Sequence, residues 1–348
     1  MDHRKRRNWQ PFISFGLVVV ALVVLKLTLF AILKILMPES AEEIPDMELT
    51  ATEKNLAERL EEDVYALSAE LGERNMHRRG SMEQAAEWVI SRMEEIGYSP
   101  ERQTYRIPGG QYAGEEADNL VAEISGTDNP EKIVVIGAHY DSVYGSPGAN
   151  DNASAVATLL ALAEWFKDRP QPMTVRFVAF ANEEPPFFHT RNMGSYAYAQ
   201  KSRELGENIV AMMSMDGLGY YSDEPRSQRY PVPGLGFLYP DTADFIGFVT
   251  RLRDRKLLNR VLGAFRDNAT IDSEGATLPG FIPGVYWSDH WSFWKHDYPA
   301  FLVTDSLLFR DPGYHTPADT PERLDYESMA RVAEGLKAVV EEMAKSES

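Results

Sequence analysis

Lys132-Ile133-Val134-Val135-Ile136-Gly137-Ala138, followed by His139-Tyr140-Asp141 and then by Gly148-Ala149-Asn150-Asp151-Asn152, is the stretch that decides the fold. Its apolar part is mostly β-branched and predicts a strand buried on both faces of a central sheet. The polar residues that follow lie at the C-terminal end of that strand, where open α/β sheets form their ligand crevices. Outward from this point strands and helices alternate. Strands are expected at 119–125, 132–138, 174–181, 209–215 and 300–304, and helices at 153–166, 193–205, 241–264 and 326–345. This alternation predicts an α/β three-layer sandwich, a mixed and mostly parallel sheet flanked by helices.

The chain has 348 residues, 44% of them apolar, enough for a substantial core. A net charge of −18 argues against nucleic-acid binding and reads as the solubility of a surface domain. The absence of cysteine excludes disulfides, thiolate zinc sites and cysteine nucleophiles together. The first forty residues differ from the rest. Arg4-Lys5-Arg6-Arg7 precedes an apolar stretch from Pro11 to Met37 interrupted only by Lys26 and Lys34. About 20 apolar residues cross a bilayer, and a basic cluster before them stays in the cytoplasm. A lysine at mid-bilayer costs roughly 2.5 to 3.5 kcal/mol, which the surrounding Val, Leu, Ile and Phe outweigh. The expectation is a single-pass membrane protein: cytoplasmic tail 1–10, transmembrane anchor 11–37, linker 38–55 and catalytic domain 56–348 on the extracytoplasmic side. The alternative, a cleaved signal peptide, fits less well because the apolar region is long and no small-x-small cleavage site follows cleanly.

Apolar residues at helical spacing mark further helices in 45–73 and 80–96. The Gly- and Pro-rich segments 222–240 and 267–286 read as long loops that wall a cleft.

Successive strand ends deliver metal-binding side chains. His139 and Asp141, one residue apart, face the same side in extended chain, and the carboxylate can brace the imidazole of a ligating histidine. Asp151 opens the next helix. Asn182-Glu183-Glu184 ends the third strand, so that one acid can bind metal while the other faces an attacking water. Asp216 ends the fourth strand, and Tyr314-His315-Thr316 lies in a turn before the last helix. Imidazoles and carboxylates without thiols suit a hard-to-borderline divalent ion, zinc foremost. If Asp151 bridges, five ligands can hold two ions about 3.5 to 4 Å apart. Any one acid at a strand end is as readily a helix cap; their joint occurrence is what points to metal.

From about Arg79 to Leu336 the chain resembles the M28 zinc peptidases, the aminopeptidase group with two co-catalytic zinc ions. The likeness rests on His139-x-Asp141, Gly148-Ala149-Asn150-Asp151-Asn152, Asn182-Glu183-Glu184, Met215-Asp216, Ser288-Asp289-His290 and His315-Thr316. The resemblance implies a zinc-exopeptidase fold and peptide substrates. It implies that His139 and Asp216 hold one zinc, that Glu184 and His315 hold the other, and that Asp151 bridges them. Glu183 would be the general base and Asp141 the partner of His139. Asp289 and Tyr314 would contact substrate, and the Asp151-Asn152 peptide would be cis.

Other features carry less. Ser288-Asp289-His290 has the residue types of a hydrolase triad, but contiguous residues cannot converge that way and no Gly-x-Ser-x-Gly elbow exists. Trp287, Trp291, Phe293 and Trp294 read as core packing ahead of a substrate pocket. Asn152-Ala153-Ser154 and Asn268-Ala269-Thr270 match glycosylation sequons, the first blocked if Asp151 binds metal. His189 sits in a loop longer than the family's. Two rival functions stand beside the aminopeptidase: a single-zinc glutaminyl-peptide cyclotransferase, opposed by Tyr314 where such cyclases carry tryptophan, and a catalytically silent binding ectodomain, opposed by the complete ligand set. Residue specificity and oligomeric state are not legible.

Overall fold

The computed structural model describes residues 23, 24, 26, 47–231, 235–237 and 239–345. Among these no helix is long and apolar enough to cross a membrane, and the anchor expected at 11–37 lies outside them save for residues 23, 24 and 26. Residues 1–39 and 40–348 form separate units.

In the larger unit, helix α1 (Ala51–Tyr65) begins at a capping box. The Thr50 hydroxyl accepts from the Glu53 amide at 3.2 Å, and the Thr50 amide donates to Glu53 at 2.7 Å. Then follow α2 (Ser81–Ile96), β1 (Glu101–Arg106), β2 (Glu116–Ile124), β3 (Asn129–His139), α3 (Ser154–Phe166), β4 (Met173–Phe180), α4 (Gly194–Leu205) and β5 (Asn208–Met215). The second half adds β6 (Phe245–Arg251), α5 (Arg255–Arg266), β7 (Asp272–Leu278), α6 (His290–Lys295), β8 (Ala300–Thr304) and α7 (Tyr326–Ala344). One eight-stranded sheet runs in the order β1-β2-β4-β3-β5-β8-β6-β7. Its centre, β4-β3-β5-β8, is parallel, while β2 on one flank and β6 on the other pair antiparallel to it. The mixed α/β sheet flanked by helices expected from the sequence is therefore present.

Period-two alternation splits each strand between two layers. Val134, Ile136, Ala138, Ala211, Met213, Phe248, Phe301 and Val303 face a continuous apolar core shared with α1, α2, α3, α5 and α7. On the other face Phe180 packs edge-on against Tyr198 of α4 and Phe293 of α6. Beyond α6 that face carries loops in place of a helix, and a cavity of about 280 Å³ opens there.

The helix expected at 241–264 is corrected. Its first part is β6, and α5 starts only at Arg255. Phe245-Ile246-Gly247-Phe248-Val249-Thr250 is aromatic and β-branched, favouring extended chain, and a short apolar run does not reveal its period. The helical spacing belongs to Leu258, Val261, Leu262 and Phe265, all buried in α5. Likewise the loop expected at 267–286 contains β7, which pairs in parallel with β6. Strand β1, at the sheet edge and largely polar, was not legible.

One buried arginine ties the N-terminal region to the chain end of β3. Arg74 is fully buried and donates from Nε to the Tyr140 carbonyl at 2.8 Å, from Nη1 to Leu67, Gly72 and Pro147 at 3.0, 2.9 and 2.6 Å, and from Nη2 to Gly148 at 2.8 Å. Burial lowers its pKa to about 10, so the cation persists at neutral pH. Gly148 has φ +65°, and a Cβ there would meet the Asp151 carbonyl and Ser142 Cβ at 2.5 Å, which restricts the position to glycine. Arg74→Leu would leave several buried carbonyls without a donor. It is expected to cost roughly 3 kcal/mol or more, read as a lower urea midpoint; an unchanged midpoint would contradict this account.

Candidate metal centre

Parallel pairing of β3 with both β4 and β5 brings their C-terminal ends side by side. His139 is the last residue of β3, Asp216 follows β5 directly, and Glu183 and Glu184 follow β4 after two residues. Asp151 leaves the turn at Ala149–Ala153 with φ −110° and ψ 85°, off the helical track of α3. His315 comes from the segment between β8 and α7 and has φ +57°.

Two groups of three side chains that could each hold a metal ion result, and they share Asp151. His139 Nε2 lies 3.3 Å from Asp151 Oδ1 and 3.4 Å from Asp216 Oδ1. His315 Nε2 lies 3.1 Å from Asp151 Oδ2 and 3.2 Å from Glu184 Oε2. Each oxygen of Asp151 thus faces a different imidazole. Ligands about 2.0 to 2.1 Å from zinc at tetrahedral angles stand roughly 3.3 Å apart. The four imidazole–carboxylate distances match that spacing, and all the candidate ligand atoms of each group lie within 4.8 Å of one another. Glu184 Oε1 is buried without a hydrogen-bond partner, a further sign of a site built for a cation.

The electrostatics agree. Burial pushes Glu183 well above the usual carboxylate range. Burial and the neighbouring Asp151 carry Glu184 up to about 8, and burial raises Asp216. Burial would also raise Asp151, but hydrogen bonds to His139 and His315 hold it below its ordinary value. Burial would lower His315, yet Asp151 and Glu184 carry it up to about 10. Acids outnumber imidazoles in this largely buried cluster, which is costly without further positive charge.

Asp141 plays a larger part than bracing His139. His139 Nδ1 lies 3.2 Å from the Asp141 carbonyl oxygen and 3.5 Å from Oδ1. The carboxylate oxygens accept the backbone amides of Glu183 and Glu184, each at 3.0 Å. One side chain thus fixes the chain that presents both glutamates. Glu183 belongs to neither ligand group and lines the cavity beside Asp151, Glu184, Asp216 and His315.

Tyr314 also lines that cavity and stacks on His315 with ring centroids 3.8 Å apart. Asp289 is fully buried at the head of α6, its carboxyl pushed up to about 7 by burial against the pull of His139, and it is not among the cavity's lining residues. Ser288 and His290 go separate ways, Ser288 Oγ to Ser214 Oγ at 3.1 Å and His290 Nε2 to the Val285 carbonyl at 2.8 Å, so they form no triad. His189 wedges between Phe188 and Trp291 and donates to the Tyr286 carbonyl at 2.8 Å. Among the aromatics, Phe293 and Trp294 are buried and Trp287 faces the cavity. Asn152 is fully buried, bonded to the Met215 carbonyl and the Gly217 amide, so its sequon is shut away. The Asp151-Asn152 peptide is cis. Sequence reasoning missed Asn150, whose Nδ2 donates to Asp305 at 2.9 Å and whose Oδ1 accepts the Gly219 amide at 2.9 Å. The only signal was its place beside Asp151.

The sequence profile of peptidase family M28 matches residues 119–340, and the chain belongs to that family. It is 37% identical over 287 residues to the YfbL protein of Escherichia coli K12, covering 80% of this chain and 86% of that one. It is 29% identical over 274 residues to a "Probable leucine aminopeptidase" of Arthroderma otae, covering 74% of this chain and 64% of the fungal protein, less than two thirds of its length. The fold is shared with a zinc aminopeptidase from Bacillus subtilis, with TM-score 0.66 and 17% identity over 86% of this chain and 97% of that one. It is shared also with a glutaminyl cyclase from Tannerella forsythia, with TM-score 0.58 and 19% identity over 82% and 98%.

Because Glu184 and His315 both hold protons at neutral pH when no cation lies between them, zinc uptake must displace them. Calorimetric titration in buffers of different ionisation enthalpy is expected to detect proton release, with apparent affinity on this side, where two protons leave, rising by up to about a hundredfold per pH unit between roughly pH 6 and 8. A flat affinity across that range would contradict the assignment.

Proposed function

We propose that this M28 peptidase is an aminopeptidase that works with two zinc ions, one between His139, Asp151 and Asp216 and the other between Asp151, Glu184 and His315. The observation that carries the reading is the shared carboxylate, whose two oxygens face separate imidazoles at 3.3 and 3.1 Å. Zinc held there would polarise the scissile carbonyl and acidify water.

The protein's own residues supply the rest. Glu183, held by its backbone to Asp141 and kept basic by burial, takes the proton of the attacking water and returns it to the leaving amine. His139 keeps its orientation through the Asp141 carbonyl. The cavity receives the side chain of the first residue. Phe245, Gly247 and Val249 of β6, Ala276 and Leu278 of β7 and Leu302 of β8 form its floor, and although Glu274 and Arg229 also line it, the mostly apolar lining favours an uncharged, bulky residue. The apolar stretch 11–37 behind Arg4-Lys5-Arg6-Arg7 supports a membrane tether, with the peptidase outside the cytoplasm. A single-zinc cyclase is less well supported, because both ligand groups are complete.

Glu183→Gln is expected to bind zinc as the wild type does while kcat falls by about 10²- to 10⁴-fold. Equal rates for the two proteins would remove Glu183 from the mechanism. In a panel of dipeptides, kcat/KM is expected to be at least about tenfold higher for N-terminal Leu, Met or Phe than for Asp or Lys, since burying an unpaired charge in this cavity is costly. Preference for a charged first residue would overturn the reading of the floor.

A further inference from the structure

We propose that Asp319, a member of neither ligand group, is the positioning residue that holds His315 opposite Asp151, and that it thereby sets the affinity of the Glu184–His315 side of the centre far more than that of the other side. The inference rests on the two-ion reading above.

The two sides are built differently. His139 and Asp216 stand at the ends of strands β3 and β5, which pair directly, and the Asp216 amide donates to the Val303 carbonyl at 3.0 Å. The sheet itself fixes that pair. Glu184 is held by Asp141. His315 has no such support: it lies outside any strand or helix, in left-handed backbone, with 30% of its side chain exposed.

Asp319 provides the missing restraint. Two successive turns, with the Thr316 amide bonded to the Gly313 carbonyl at 3.0 Å and the Asp319 amide to the Thr316 carbonyl at 3.2 Å, make His315 and Asp319 one local unit. Asp319 then grips the other strand of the site at three consecutive amides. Its Oδ1 accepts from Asn150 at 2.7 Å, its Oδ2 accepts from the bridging Asp151 at 3.1 Å, and its carbonyl oxygen accepts from Ala149 at 3.2 Å. The residue is 1% exposed, so water cannot replace these bonds. The segment carrying one ligand is therefore clamped to the backbone of the ligand it must face. An asparagine has one acceptor oxygen and would turn an amine toward the second amide. Alanine offers neither acceptor.

A merely stabilising buried carboxylate would, when removed, weaken the fold and both ion sites together, or neither site. A positioning carboxylate weakens one. The test is a zinc titration of the metal-free full-length protein by competition with a chromophoric chelator, in wild type, Asp319→Ala, Asp319→Asn and His315→Ala, with thermal unfolding to show that each is folded. Wild type is expected to take two ions. In Asp319→Ala the affinity that His315→Ala abolishes falls about 10- to 100-fold, while the other changes by less than about threefold. Asp319→Asn shows a smaller loss at the same ion and decides the matter if the alanine variant does not fold. Adding Asp319→Ala to His315→Ala causes no further loss at the remaining ion. The proposal is overturned if both affinities fall together in a folded variant, or if neither falls. A wild type that takes one ion would overturn the two-ion reading beneath it, an outcome distinct from either.

Discussion

The centre depends on a buried carboxylate that offers each oxygen to a different imidazole at the inner end of a cavity. Asp151 can do this because it sits at the mouth of the parallel strands, where His139, Glu184 and Asp216 arrive from three neighbouring strand ends, and because the chain there departs from helical geometry before α3 begins. So many acids at such short range are unfavourable by themselves. Glu183, Glu184 and Asp216 are raised accordingly, and positive charge placed among them would relieve the tension.

Rigidity behind the ligands comes from polar groups that touch no ligand atom. Arg74 gathers carbonyls from the segments before α2 and after β3, and its Nη2 holds Gly148, three residues from Asp151. Asp141 does the same for Glu183 and Glu184 with its two carboxylate oxygens. Asn150 ties the turn to Asp305 and Gly219. Each of these buried groups has its bonds made within the protein, which is how such polar networks become rigid and specific.

What the sequence disclosed and what it hid follow from the range of the forces involved. The convergence of His139, Asp151, Glu183, Glu184, Asp216 and His315 was legible because each stands at or near a strand end or in a local motif whose residue types are rare in combination. The central parallel strands were legible because burial on both faces leaves a continuous apolar run, as in Ile133-Val134-Val135-Ile136. β6 and β7 were not. Their apolar residues alternate between the core and a cavity, Gly247 and Gly275 weaken the pattern further, and only the pairing of β6 with β8 and of β7 with β6 makes them strands. The roles of Arg74 and Asp319 were hidden for another reason: their bonds reach residues about 70 and 170 positions away, a distance no local pattern encodes. A charged residue fully buried against backbone looks in the sequence like any surface charge.

The candidate ligands come from the ends of β3, β4 and β5, the turn before α3 and the turn before α7, whereas the floor beside them comes from β6, β7 and β8 with loops in place of a covering helix. On the proposed function, hydrolytic power and choice of substrate would be written in separable parts of one polypeptide. Exchange of side chains along Phe245, Val249 and Leu278 could retune which peptides are trimmed while every group that grips the metals stayed as it is, giving this scaffold a modular route to new diets.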